Sequence, residues 1–319
     1  MYVPIFIGRR NFVMWFKNLY FFAFTRPFEH SEEDLEKQLS ENLFTPCAST
    51  EMSHFGWVNA LGKHGQTTVH SVNGNHLICA RKEEKILPAP VIKEMLEEKV
   101  AMVEQEHSRS ATKKEKEQFK EDIIFELLPR AFSRITDTHA YISPAHNLVV
   151  INSSSRSKAE DLLALLRKSL GTLPVTSVSP EMAPDEKMTD WLTEHNLGGN
   201  FNLGMEAVLH AVGDDGAVIQ VKNQDLTSDE IKVHLDADKF VVKLALEWDE
   251  AMSFVLTDDL SLKRLKFFDV LHEQNDDIDK DDVLARLDAD FALMSGEINR
   301  LINELLEEFS IKATDYLEQ

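Results

Sequence analysis

Residues 81–134 differ in composition from the rest of the sequence, and this segment limits the possible folds most strongly. It contains 12 basic and 12 acidic residues. Pro88 and Pro90 open a helical pattern, residues 108–112 interrupt it, and a second helical pattern ends before Pro129. The apolar positions of the first helix form a thin stripe of Val91, Met95, Val100 and Val103. The pattern therefore predicts a protruding helical hairpin, and leaves open whether this hairpin meets a partner or is only solvated.

Strand and helix patterns alternate on both sides of this segment. Glycine and proline are sparse, at 12 and 10 among 319 residues, which argues against a chain built from loops. The predicted strands cover residues 12–25, 57–61, 67–72, 76–80, 140–143, 148–152, 217–222, 239–248, 252–257 and 261–268. The predicted helices begin at Ser31, cover 156–170, surround Trp191, and cover 228–236 and 279–309. This order predicts an α+β fold with antiparallel sheets, and residues 172–186 are predicted to be a linker.

The chain is strongly acidic, but its basic residues are grouped. The formal net charge is -21, yet Ser261–Phe268 holds three cations and no carboxylate. The other groups are Arg81 and Lys82 with Lys85, Arg130 with Arg134, Arg167 with Lys168, and Lys239 with Lys243. Segregated charge produces a local positive field, to which a polyanion responds. The grouping predicts an anionic ligand if several of these groups share one surface.

Strand alternation assigns the grouped cations to faces. Two same-face pairs are predicted, Arg264 with Lys266 and Lys239 with Lys243. Leu265 and Phe267 take the opposite, buried face of their strand.

The residues that follow Pro129 suggest a second kind of contact. If residues 130–134 are extended, Arg130 and Arg134 flank the ring of Phe132. This arrangement suits contact with phosphate or a hydrophobic protein contact with a cationic rim.

Sequence motifs of catalysis are lacking. The chain has no GxxxxGK[ST], GxSxG or HExxH motif, and no GxGxxG motif follows a strand. Residues 184–185 and 230–232 resemble parts of a nuclease motif, but they lie 45 residues apart on unrelated elements. Residues 277–281 mimic a calcium loop, but Asp282 stands where the sharp turn requires glycine. We therefore expect a protein that is not an enzyme, with no catalytic residue, metal or cofactor.

The sequence predicts no membrane partner. Lys17 interrupts the aromatic-rich residues 11–24, and a membrane span requires about 20 apolar residues. Cys47 and Cys79 lie 32 positions apart, which argues against a disulfide framework or a zinc site. A reducing cytoplasm is the expected location.

Eight motifs resemble, in the same order, those of the RdgC family of bacterial recombination-associated proteins. They are Met14–Leu19, Phe44–Cys47, Ile78–Pro88, Leu127–Arg134, Leu165–Gly171, Gln224–Ser228, Lys243–Leu246 and Ser261–Phe267. The resemblance runs from about Met14 to the acidic C-terminal helix and so covers nearly the whole chain.

This resemblance implies a ring-shaped homodimer of horseshoe subunits. Such a ring binds DNA with little sequence preference, single- or double-stranded, through a positively lined hole. It opposes RecA-mediated recombination by occupying the DNA, and it is associated with the nucleoid. The implied regions are an extension at 1–13, a centre at 14–80 and 135–175, a helical tip at 81–134 and a base at 176–319.

The resemblance also implies site residues. Phe132 falls on the aromatic position of the tip contact that closes the ring. The residues expected to face the hole and bind DNA are drawn from Arg81, Lys82, Arg130, Lys222, Gln224, Lys239, Lys243, Lys263, Arg264 and Lys266. One departure from some relatives is Asn223, which stands where they carry a base.

Three hypotheses follow from the sequence. The first is a DNA-binding ring that limits recombinase loading. The second is an acidic protein-interaction module that binds the recombinase or mimics DNA, with the acidic C-terminal helix as its active feature. The third is a nuclease, which predicts metal-dependent loss of DNA.

Overall fold

The computed structural model of the protein describes residues 15–211, 213, 216–275, 277–279 and 281–317. The strands are β1 Leu19–Phe24, β2 Ser53–Val58, β3 Val69–Val72, β4 Asn75–Ile86, β5 Phe132–Ser143, β6 Leu148–Asn152, β7 Val175–Ser177, β8 Phe201–Ala211, β9 Val218–Lys222, β10 Lys239–Trp248, β11 Met252–Thr257 and β12 Leu262–Phe267. The helices are α1 Glu32–Ser40, α2 Ala89–His107, α3 Lys113–Leu127, α4 Arg156–Leu170, α5 Pro184–Glu194, α6 Asp229–Leu235, α7 Asp269–His272 and α8 Val283–Glu308. The expected extension at 1–13 and the start of the strand predicted at 12–25 lie outside the described residues.

The chain divides into two compact units. Unit 1 takes in the described residues up to Leu39, Asn59–Cys79 and the described residues from Thr138 onward, and unit 2 is Ser40–Val58 with Ala80–Asp137. The segment at 172–186, predicted to be a linker, lies within unit 1. The finer division into centre, tip and base regions stays a prediction.

Unit 1 is built on an antiparallel sheet. Its strands follow the order β4-β5-β6-β1-β12-β11-β10-β8-β9, with β3 beside β4 and β7 beside β1. The registers of the pairs among β1, β6, β8, β9, β10, β11 and β12 are all antiparallel. The prediction of a mixed α and β fold with an antiparallel sheet is confirmed.

Helix α8 forms the core of unit 1 with one face of this sheet. Its N-cap residue Asp282 accepts a hydrogen bond from the Ala285 amide at 3.1 Å, which satisfies one of the free amides at the helix start. The helix predicted over 279–309 is confirmed, and its periodic apolar residues Leu287, Phe291, Leu301 and Leu305 are all buried. Trp248 of β10 is also buried here, and its indole donates to Glu304 of α8 at 2.9 Å.

Unit 2 contains β2, the second part of β4, the first part of β5, and the two helices α2 and α3. The predicted helix pair is confirmed, because α2 packs on α3 and Lys99 pairs with Asp122 across them at 3.3 Å. Thr112 and Glu115 close a capping box at the start of α3.

A membrane-spanning helix is not found among the described helices, since none is both long and apolar enough.

Candidate nucleic-acid interface

The strands β8 to β12 of unit 1 have one face in the core and one open face. On β10 and β11, Leu244 and Leu256 are neighbours across the strands and are fully buried in the core. The next pair across these strands, Lys243 with Thr257, therefore lies on the opposite face. This opposite face is called the open face below.

A bulge in β12 brings two consecutive cations to the open face. Leu262 and Leu265 are both in the core, so Lys263 and Arg264 between them both lie on the open side. The register with β11 shifts at this point, and the backbone of Arg264 is left-handed with φ 54°. Lys266 is exposed beyond the bulge, whereas Leu265 and Phe267 are buried. The face predicted for Arg264 and Lys266 is confirmed.

A second bulge lies in β10, within the strand that carries Lys239 and Lys243. The register with β8 shifts between Val241 and Lys243. Val241 and Leu244 are both in the core, so the alternation changes between them. Lys243 lies on the open face, but Lys239 lies on the side of Val241. The prediction that Lys239 and Lys243 share one face is therefore wrong, because it assumed an unbroken strand.

Four of the expected DNA-binding residues meet in one depression on the open face. They are Lys222, Lys243, Lys263 and Arg264, and the depression has a volume of about 490 Å³. Its acidic lining residues are Glu206, Asp258 and Asp259. The other expected residues of unit 1, Gln224, Lys239 and Lys266, do not line it. The Gln224 amide group donates instead to Glu230 at 2.6 Å.

Glu206 fixes the direction of the Arg264 side chain. The guanidinium donates to both carboxylate oxygens of Glu206, one of them at 3.2 Å. The hydrogen bond from Arg264, together with the nearby charges of Arg264 and Lys222, lowers the pKa of the Glu206 carboxyl. Lys222 stands directly opposite Glu206 in the pairing of β8 with β9. Glu206 therefore stays ionised and compensates part of the positive charge.

Lys263 is held on the open face by two contacts. Its ammonium lies 3.9 Å from the ring centroid of Tyr20 on β1 and donates to the Ser154 carbonyl at 3.2 Å. By contrast, Lys222 and Lys243 are exposed and form no ion pair with a described carboxylate. These two ammonium groups are available to an external anion.

The turn from β11 to β12 carries two carboxyl groups whose pKa values are shifted in opposite directions. Partial removal from water, and then the charges of Asp259 and Asp185, raise the pKa of the Asp258 carboxyl. Burial also opposes ionisation of Asp259, but hydrogen bonds from Thr257 and Ser261 outweigh it and lower the pKa of Asp259. The Thr257 hydroxyl donates to Asp259 at 2.6 Å. Hydrogen bonds to the ionised Asp259 carboxylate stabilise the turn, whereas ionisation of Asp258 destabilises the folded state.

We expect Asp258→Asn and Asp259→Asn to change stability in opposite directions at neutral pH. Ionised Asp258 destabilises the fold above its raised pKa, so Asp258→Asn should increase the free energy of unfolding, and the gain should vanish as pH falls through that pKa. Ionised Asp259 stabilises the fold above its unfolded pKa. Asp259→Asn should therefore decrease the free energy of unfolding, and this decrease should vanish as pH falls through the lowered pKa. Both residues are partly removed from water but remain accessible to solvent over more than about a third of their surface, so screening limits each change to about 1 kcal/mol. Urea unfolding at two pH values measures both; changes of the same sign would contradict the assignment.

The expected site residues of unit 2 are all paired with carboxylates. Arg81 donates twice to Asp137 at 2.7 and 2.8 Å, Lys82 lies 3.4 Å from Glu84, and Arg130 lies 3.3 Å from Glu126. The Arg130–Glu126 pair is exposed and contributes about 0–1 kcal/mol, whereas the Arg81 and Lys82 pairs are half-buried, so a phosphate replaces Glu126 most easily. These cations therefore remain candidates for contact with an anion.

Phe132 is the most exposed large apolar residue of the described chain. It begins β5, and 82% of it is accessible to solvent. Nothing in the core of unit 2 explains this exposure. The side chain is free for contact with another molecule, which is what the expected tip contact requires.

Metal ligands do not cluster in the described residues. No group of three or more His, Cys, Asp or Glu side chains could hold a metal ion there. The three acids of the depression have no such geometry either.

Known proteins are similar to this chain along nearly its whole length. A family model described as "Putative exonuclease, RdgC" matches residues 14–312. The Recombination-associated protein RdgC of Colwellia psychrerythraea is 76% identical over 306 residues, which are 96% of this chain and 100% of that relative. The proteins of the same name from Aeromonas hydrophila and Yersinia pestis are 56% and 48% identical, over 92% of this chain and 96% and 97% of their own lengths. The chain therefore belongs to the RdgC family.

Proposed function

We propose that the protein binds DNA without sequence preference through the open face of unit 1, and that this binding limits RecA-mediated recombination. The observation that carries the proposal is the cluster of Lys222, Lys243, Lys263 and Arg264 around one depression, on a chain of net charge -21. Two of these cations, Lys222 and Lys243, form no salt bridge among the described residues. The names of the relatives, which are recombination-associated proteins, support a role in recombination.

The acidity of the whole chain is compatible with this proposal. Salt screens exposed charges over about 8 Å at physiological ionic strength. A phosphate on the open face therefore senses Lys222 and Lys243 more strongly than distant carboxylates. Contacts with phosphate supply affinity but carry no sequence information. Binding through lysine and arginine alone predicts little preference among sequences.

The assembled form belongs to the same proposal. The family resemblance supports a ring-shaped homodimer that encloses the DNA, associated with the nucleoid. The 82% exposure of Phe132 supports its role as the contact that closes this ring. A small hydrophobic contact could open and admit DNA that has no free end. No chemical step is part of the proposal.

The test is binding of random-sequence duplexes to the full-length protein over a series of salt concentrations. We expect the logarithm of affinity to fall linearly with the logarithm of salt, equally for unrelated sequences, with a slope of about 0.9 per phosphate contacted. Fluorescence anisotropy measures this. Absence of binding at low salt would contradict the proposal and would favour the acidic protein-interaction module.

The description of the family model favours a second candidate, an exonuclease. The same labelled duplexes, incubated with the protein in Mg²⁺ or Mn²⁺ and separated by length, decide between the two candidates. Progressive shortening that a chelator abolishes would establish the exonuclease. We expect the DNA to keep its length.

A further inference from the structure

A row of three side chains, two of them aromatic, crosses the open face beside the cation cluster. Phe240 of β10 stands opposite His210 of β8, and His210 stands opposite Val218 of β9. The next residues along these strands, Val241 and Leu209, are fully buried in the core. Alternation therefore places Phe240, His210 and Val218 on the open face, the face of Lys243.

The side chains of this row are accessible to solvent. Phe240 is 40% exposed and Val218 is 60% exposed, and His210 is also exposed. Directly opposite residues of an antiparallel pair have their Cβ atoms about 5 Å apart. The benzene ring and the imidazole ring are therefore neighbours that present π surface to an external molecule.

The cations begin one row further along the strands. Lys243 stands opposite Val208, and Val208 stands opposite Gln220. Lys222 follows two residues after Gln220 on β9. The bulge between Val241 and Lys243 turns the ammonium group toward the same face as Phe240. A polyanion with planar, apolar groups at short intervals fits this order of side chains.

We infer that Phe240 and His210 form a stacking platform for unpaired bases of single-stranded DNA whose phosphates lie on Lys243 and Lys222. The inference rests on the proposed DNA binding and adds a preference for unpaired bases. In a duplex the bases stack on one another and cannot reach an exposed ring. In a single strand every base has a free π face, so aromatic side chains beside a cationic groove bind single strands with little sequence preference. Gln220 lies in the row of Lys243, between Val218 and Lys222 on β9, and can donate to a base or a sugar.

The test compares three ligands of equal length: a thymine-only single strand, its abasic counterpart and a random duplex. We expect Phe240→Leu, which keeps an apolar side chain but removes the ring, to weaken binding of the thymine strand by about fivefold or more. Binding of the abasic strand and of the duplex should change less than about twofold. Phe240→Tyr, which keeps the ring, should retain the affinity for the thymine strand. Val233→Ala on α6, which also removes exposed apolar surface but lies outside this row, is the control and should bind all three ligands as the unsubstituted protein does.

The outcomes separate this inference from the proposed function. If the unsubstituted protein binds the abasic strand as tightly as the thymine strand, the stacking platform does not exist, although DNA binding stands. If Phe240→Leu weakens binding of the duplex and of the thymine strand equally, the platform is also refuted. Equal losses would mean that the substitution has disturbed only the cation cluster. If the unsubstituted protein binds no ligand, the proposed function fails together with the inference. A strand that carries 2-aminopurine supplies a direct signal, since stacking on Phe240 should quench its fluorescence in the unsubstituted protein and not in Phe240→Leu.

Discussion

Replacing both Lys222 and Lys243 with glutamine is expected to weaken duplex binding by about 30-fold at about 0.15 M salt. Each lysine that contacts a phosphate contributes about 0.9 to the salt slope, which corresponds to roughly fivefold in affinity at this salt concentration. The slope should therefore fall by about 1.8 for the double variant. These two lysines are chosen because they are exposed and form no salt bridge among the described residues. Arg264 is less suitable, since its removal would leave Glu206 unpaired.

The matched control is the double variant of Lys113 and Lys114 to glutamine. It makes the same change in net charge, and both residues are exposed at the start of α3, outside the open face. We expect this variant to bind DNA within about twofold of the unsubstituted protein, with an unchanged salt slope. An equal loss of affinity in both double variants would show that total charge, rather than the open face, determines binding.

Much of the fold was predictable because its strongest patterns are local. The helix α8, the polar break at 108–112 before α3 and the strands β10 and β11 follow from periodicity and composition. Strand β8 was missed. Its sequence combines Gly204, Met205, Glu206 and Ala207, which are not typical strand residues, and a register shift interrupts its alternation. The strands β4 and β5 also extend further into the charged segment than their composition indicates.

The candidate site was predictable only in part, for the same reason. The grouped cations were visible in the sequence, and four of them do share a surface. Their faces depend on two bulges, and a period of two cannot reveal where a strand gains a residue. Nothing in the residue type marks the left-handed backbone of Arg264, because glycine is the usual signal for that conformation. Glu206, which orients Arg264, was missed because it lies on the strand that was missed.

The buried network around Asn299 should have the largest effect on stability. Asn299 of α8 is 1% exposed and donates to Ser143 at 3.1 Å and to Asn75 at 3.3 Å. The Tyr141 hydroxyl donates to Asn299 at 2.9 Å. Asn299→Leu keeps the branched shape but leaves the Tyr141 hydroxyl and the Asn75 carbonyl oxygen without a partner, at about 1–3 kcal/mol each, whereas Ser143 keeps its contact with His146. We expect the free energy of unfolding in urea to fall by about 3–5 kcal/mol.

Tyr141→Phe tests whether unsatisfied partners cause this loss. By itself it removes one hydrogen bond and leaves Asn299 with its two other partners, at about 1 kcal/mol. Combined with Asn299→Leu, it removes a hydroxyl that would otherwise be buried without a partner, so the double variant should be less destabilised than the sum of the single variants. Additive changes would show that the cost comes from packing of the leucine and not from the network. Asn299 lies on the core side of the sheet, so the variants that remain folded should bind DNA with the salt slope of the unsubstituted protein, in contrast to the lysine variants on the open face.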